Sequence, residues 1–137
     1  MKKLNLLLFA ALIFLFACNT KSNDKSKMEN KQEIENVLIE EWQTPFGTPP
    51  FDKIKSEDYL PAMEEGIKRQ QQEIEGIVNQ NSEPTFENTI VAYEKTGSLL
   101  KKVSNVFYAV EAANTDDVLK ETAKKIRPEL SEHYDKI

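Results

Sequence analysis

The stretch Ser56-Glu-Asp-Tyr-Leu60-Pro-Ala-Met63-Glu-Glu-Gly-Ile67-Lys-Arg-Gln70-Gln-Gln-Glu-Ile74-Glu-Gly-Ile77 decides the fold. Leu60, Met63, Ile67, Ile74 and Ile77 recur at three- and four-residue steps, the period of one helix face, and Gln70 fills the one seam position that lacks an apolar side chain. Ser56 is placed to cap, Glu57 and Asp58 suit the positive N-terminal end, and Pro61 belongs in an opening turn, where its missing N–H costs nothing. The opposite face carries Glu64, Glu65, Lys68, Gln71, Gln72 and Glu75 and reads as solvated.

Downstream, the segment from Asn79 to Pro84 is a turn, and Thr85 is expected to cap a second, longer helix. Its seam is Phe86, Ile90, Tyr93, Gly97, Leu100, Phe107 and Val110, widened by Leu99, Val103 and Val106, so it should pack on several neighbours. Gly97 costs about 1 kcal/mol inside a helix relative to Ala; it reads either as a place where another backbone approaches or as a weak spot. Asn114 and Thr115 break the run. Thr115 is expected to cap a third helix with Asp116 and Asp117 in its first turn and Leu119, Ala123, Ile126, Leu130, Tyr134 and Ile137 as its seam. Pro128 should kink that helix, because its ring opposes the carbonyl of Lys124. No alternation of the β type occurs. The expected fold class is all-α, with antiparallel helices. Ile137 is an apolar seam residue with no glycine cap after it, so the helix is expected to continue and the chain to be truncated there.

Upstream the character changes. Over residues 37–55, Trp42, Pro45, Phe46, Gly47, Pro49, Pro50 and Phe51 lie close together, and three prolines in six residues forbid a regular helix. This extended segment is expected to lie along a hydrophobic groove of the helical body. Residues 19–36 are rich in Lys, Asn, Ser and Glu and read as a flexible tether, too polar to offset their ordering entropy. Residues 1–18 read as an exported leader. Lys2 and Lys3 precede an apolar run from Leu4 to Ala17, interrupted only by Asn5, which is short of the roughly 20 residues a membrane span needs. The run ends Leu15-Phe16-Ala17-Cys18 and then turns polar. This resembles a bacterial lipobox, so Cys18 is the expected lipidation site and the new first residue, and the protein is expected to be a membrane-anchored lipoprotein of the bacterial cell envelope.

Composition excludes several functions. The 137-residue chain has a formal net charge of −5, and loss of the leader with Lys2 and Lys3 makes it −7. A nucleic-acid partner would need a clustered basic face instead. One cysteine rules out an internal disulfide framework and multi-cysteine metal sites. One histidine, His133, rules out a two-histidine zinc site; it reads as a partly exposed helix position with no metal role.

Beside these readings stands a resemblance. Thr44-Pro-Phe-Gly-Thr-Pro-Pro-Phe-Asp-Lys-Ile-Lys-Ser-Glu-Asp-Tyr-Leu-Pro-Ala-Met-Glu-Glu-Gly-Ile67, Pro84-Thr-Phe-Glu-Asn-Thr-Ile90 and Val103-Ser-Asn-Val-Phe107 resemble the amino-terminal region of bacterial peptidyl-dipeptidases of the thimet oligopeptidase family of zinc metallopeptidases. The resemblance spans Glu40 to Ile137. It implies that residues 56–137 are the N-terminal part of a larger helical metallopeptidase fold. Two halves would flank a deep channel, and dipeptides would be released from the C-termini of oligopeptide substrates. The implied cofactor is zinc, bound by two histidines of a His-Glu-x-x-His helix and a downstream glutamate, with the intervening glutamate as general base. No residue of this sequence occupies those positions: Glu132-His133-Tyr134-Asp135-Lys136 ends at Ile137 with no second histidine. No catalytic or zinc-binding residue is therefore assigned, the chain alone is expected to bind no metal and to be inactive, and the implied partner is the remainder of the metallopeptidase chain. A self-standing helical lipoprotein that acts as a binding module is the competing reading, with an unrelated helical bundle as a third.

Overall fold

The computed structural model describes residues 35–137, and the leader, Cys18 and nearly all of the tether lie outside them. Three helices carry the body: α1 (Tyr59–Val78), α2 (Ser98–Ala113) and α3 (Asp117–Tyr134). A 3-10 turn, Ser56–Asp58, leads into α1, and a π-helical turn, Phe86–Val91, runs into a short α-helical turn, Ala92–Glu94, before α2. No strand occurs among the described residues, so the all-α expectation holds.

Contacts order the helices. Tyr59 meets Phe107 edge-on with ring centroids 5.4 Å apart, Gly66 abuts Leu100, and Gln70 lies at Gly97. Rising numbers in α1 thus meet falling numbers in α2, and the two helices run in opposite directions. Glu64 pairs with Lys125 and Gln70 with His133, so α3 runs the same way as α1. Core side chains come from all three helices (Met63, Leu100, Val103, Phe107, Leu119 and Ile126 among them), with Leu38 added from the segment before α1.

The buried stripe of α1 is Tyr59, Ala62, Met63, Gly66 and Gln70, one step round from the expected seam; Leu60, Ile67, Ile74 and Ile77 flank it half-buried. The cause is Gly66. A Cβ there would lie 2.9 Å from the Leu100 Cα, so the two backbones approach over small residues and the larger ones close the sides.

Several local expectations are corrected. The second helix is two pieces, because Gly97 takes φ +69, a left-handed conformation that ends one helix and starts the next. Asp116, not Thr115, caps α3: its Oδ1 accepts the Leu119 N–H at 2.7 Å. Ser56 makes no helix cap and instead donates to Asp116 Oδ2 at 2.5 Å, joining the starts of α1 and α3. Helix α3 runs from Asp117 to Tyr134 with the exposed Pro128 inside it, where the sequence pattern placed it. Asn36, placed at the end of the tether, is buried: its Nδ2 donates to the Asp58 carbonyl at 2.7 Å and its Oδ1 accepts the Leu38 N–H at 2.9 Å. Both polar ends are satisfied, and the ordered body therefore begins ahead of residue 37.

The aromatic segment docks in part. Trp42 packs against the core, its Nε1–H donates to the Val37 carbonyl at 2.8 Å, and the Lys102 ammonium sits 4.6 Å from its ring centroid. Pro50 is buried, whereas Phe46 and Phe51 are exposed. Among the described helices none is long and apolar enough to cross a membrane.

Two glycines in one helix should respond oppositely to alanine. Gly66→Ala forces a methyl onto the Leu100 backbone and is expected to lower stability by about 1–3 kcal/mol. Gly76→Ala meets nothing within 4 Å and is expected to raise it by about 0.5–1 kcal/mol through helix propensity. Urea titrations followed by circular dichroism measure both; equal signs would disprove the close-approach account.

Candidate functional site

The polar centre of the body is where α1, the Gly97 turn and α3 meet. Gln70 is the seam residue that the α1 periodicity singled out, and it is buried. Its Oε1 faces His133 Nε2 at 2.9 Å in a buried contact. An amide oxygen can only accept, so His133 donates from Nε2 and its other nitrogen, Nδ1, is the bare one. That Nδ1 is buried without a hydrogen-bond partner. Across the amide, Gln70 Nε2 lies 3.5 Å from Thr96 Oγ1, at the edge of bonding distance. One turn along α1, Glu73 Oε2 accepts the Gly97 N–H at 2.7 Å, which sets a carboxylate at the N-terminus of α2, where the helix dipole favours it.

His133 therefore departs from the expectation of a partly exposed position: it is 2% exposed. Burial, with help from the nearby Lys136 ammonium, pushes its pKa below the ordinary histidine range and keeps the ring neutral. The signal for this placement was present at Leu119, Ala123, Ile126 and Leu130, because a further step of three from Leu130 reaches His133 rather than the Tyr134 assigned to that seam. Tyr134 is exposed instead. Glu73 and Thr96 gave no periodic signal, since each serves a turn and not a seam.

Chemically the junction is a clasp. A general base needs a proton donor within its reach, and His133 Nδ1, although its ring is oriented by Gln70, is buried without one among the described residues. A metal needs convergent ligands, and no group of three or more His, Cys, Asp or Glu side chains is gathered among the described residues. The donor set does not fit the zinc implied by the resemblance, because the lone histidine spends Nε2 on Gln70 and holds Nδ1 in the interior.

A second feature is a cleft of about 460 Å³ between the loop before α1 and the junction of α2 with α3. Phe51, Ile54, Tyr59, Val110 and Leu119 make its apolar wall, with Ser56 and Asp116 also lining it. Asp116 is held below the usual carboxylate range by the Ser56 hydroxyl and the Leu119 N–H. Its charge is already committed to capping α3.

This much defines a helical body that brings no catalytic constellation together among its described residues. The chain is 41% identical over 96 residues to a dipeptidyl carboxypeptidase of Salmonella typhimurium, covering 70% of this chain and 14% of that one. It is 37% identical over 97 residues to the dipeptidyl carboxypeptidase of Escherichia coli (71% and 14%), and 27% identical over 90 residues to Escherichia coli oligopeptidase A (66% and 13%). No family model matches the chain. These relatives bear out the resemblance to peptidyl-dipeptidases and are consistent with the thimet oligopeptidase family. The chain spans about one seventh of the length of the dipeptidyl carboxypeptidases it matches.

Because His133 is the one histidine of the chain, stability between pH 5 and 7 reports on this clasp. Its folded pKa lies below the unfolded value of 6.5, so the stabilisation is complete above that value and is lost as pH falls from there towards the depressed folded pKa. The urea midpoint is expected to fall over that window. His133→Gln, which cannot titrate, should show a lower midpoint at pH 8 and a flat profile from 7 to 5. A wild-type profile equally flat would show that the ring is not held neutral.

Proposed function

We propose that this chain is the N-terminal piece of a lipid-anchored zinc metallopeptidase that releases C-terminal dipeptides from oligopeptides. The 41% identity to a protein named dipeptidyl carboxypeptidase carries this reading. In it, residues 56–137 supply part of the helical wall that limits what enters the channel, and the zinc ligands belong to sequence outside this chain. Clasps such as Gln70 with His133 suit that role, since they hold helix positions without reactive groups. Cys18, diacylated or triacylated, holds the enzyme at a membrane of the cell envelope, and residues 19–34 space the body from it. Each acyl methylene buried contributes about 0.8 kcal/mol, so two or more chains anchor stably.

Two measurements test the parts separately. The purified 137-residue chain is expected to release no dipeptide from a short N-blocked peptide with zinc added, while a chain extended through a His-Glu-x-x-His segment does so in a chelator-sensitive manner. No activity in the extended chain removes the peptidase reading and leaves the binding-module alternative, whereas activity in the short chain overturns the assignment of the zinc ligands to sequence outside it. For the anchor, intact mass of the membrane form should show loss of residues 1–17 and a gain of acyl mass. Cys18→Ala should leave no acylated protein; acyl mass persisting in that variant refutes the assignment.

A further inference from the structure

The helical turn between α1 and α2 presents apolar side chains that the described residues cover only in part. Phe86, Ile90 and Tyr93, four and then three positions apart, are 65%, 50% and 43% exposed. The backbone beneath them is firmly built. Thr85 and Asn88 form a reciprocal cap, with Asn88 N–H to Thr85 Oγ1 at 3.1 Å and Thr85 N–H to Asn88 Oδ1 at 2.7 Å. Asn88 Nδ2 donates to the Glu83 carbonyl at 3.0 Å, and Gln80 Nε2 donates to the Asn88 carbonyl at 3.2 Å. The three side chains are thus held outward on an ordered platform.

The charges around this ridge say what fits it. Glu83, Glu87 and Glu94 are exposed and enter no ion pair among the described residues, against the single cation Lys95. A two-fold pairing of this surface with a second copy would bring two acidic rims together at the edge of an apolar contact, where like charges disfavour it. The complementary surface is an apolar socket with a basic rim, on a different body. The relatives indicate where that body lies, since 14% of their length is matched here and the greater part is not.

We infer that the Phe86, Ile90 and Tyr93 ridge is the seat on which the rest of the longer polypeptide docks, through an apolar socket bordered by Lys or Arg. The inference rests on the proposed reading of this chain as part of a larger peptidase, and it specifies which face meets the remainder.

Hydrogen exchange compares the 137-residue chain with the chain extended through the His-Glu-x-x-His segment. Amides of residues 86–94 are expected to exchange at least tenfold more slowly in the extended chain. Ile90→Asp should abolish that difference, lower the melting midpoint of the extended chain by several degrees and leave the short chain's midpoint nearly unchanged. Glu87→Lys should reduce the protection without affecting the short chain. Equal exchange of residues 86–94 in the two chains overturns the inference. So does a concentration-dependent dimer of the short chain that Ile90→Asp dissolves, which would make a second copy the occupant. An extended chain that shows the protection but no peptidase activity upholds the docking face and removes the enzymatic reading; an active one without protection does the reverse.

Discussion

The missing side chain at Gly97 is the constraint on which the three-helix arrangement turns. A Cβ at that position would lie 2.5 Å from the Gln70 amide, and the backbone there holds φ +69. Both facts require glycine, for separate reasons. The left-handed angle is costly for any residue with a Cβ, and the space is already filled by an amide with a partner of its own. Because Gln70 occupies that space, it reaches His133 and closes α3 onto α1. Because Glu73 catches the Gly97 N–H, the chain leaves the turn in a fixed direction and α2 returns along α1. The return brings Leu100 against Gly66, where the absence of a second Cβ allows contact between backbones. One turn therefore sets the direction of α2, the depth of its packing and the polar partner of α3.

How much of this could be read from the residues depended on whether the deciding force was local. Helix α1 and the buried stripe of α3 were legible, because period and apolar side chains coincide at Met63, Leu119, Ala123, Ile126 and Leu130. The break at Gly97 was not. A glycine on an apolar seam reads the same whether it lies in a helix or in a left-handed turn, and the choice is made by Gln70 from another helix. The caps failed for a related reason. Thr115 and Asp116 are both good N-cap residues, and the Ser56 hydroxyl, 60 positions away, favours Asp116. His133 was misplaced by one seam step, since a histidine suggests exposure unless the amide that receives its proton is known. Asn36 belonged to a polar run by composition, yet its two hydrogen bonds tie it to the body.

The candidate site was legible chiefly in what it could not be. A single histidine cannot supply both histidines of the zinc helix that the resemblance implies. The fold adds where the one histidine is spent. A ring with Nε2 on an amide and Nδ1 buried without a partner is costly to charge and unavailable as a base, which is the profile of a positioning group. The cleft beside Tyr59 carries a similar lesson. Its carboxylate, Asp116, is held charged by the Ser56 hydroxyl and the α3 N-terminus, so it is a structural cap that happens to line a cavity.

Two departures from ordinary folding rules in this body fall on its surface. Phe46 is a fully exposed aromatic at φ 60, in a tight turn held by Thr44 and Thr48, whose hydroxyls bond the carbonyls of Thr48 and Pro45. A non-glycine residue in that region costs of order 1 kcal/mol or more, and exposure of the ring returns nothing. The ridge at Phe86 repeats the pattern: well-satisfied backbone beneath unsatisfied apolar surface. The core is consistent in propensity and packing, and its departures among the described residues are two buried side-chain atoms without a hydrogen-bond partner, Ser104 Oγ and His133 Nδ1. Strain confined to a surface is unfavourable for a body that ends there and reasonable for one completed by contact, because the cost is then offset across the contact. On the proposed reading of this chain as part of a larger peptidase, substitutions at Phe46 and Phe86 should disturb the longer protein more than the isolated helices, reversing the ordinary expectation that exposed positions are tolerant.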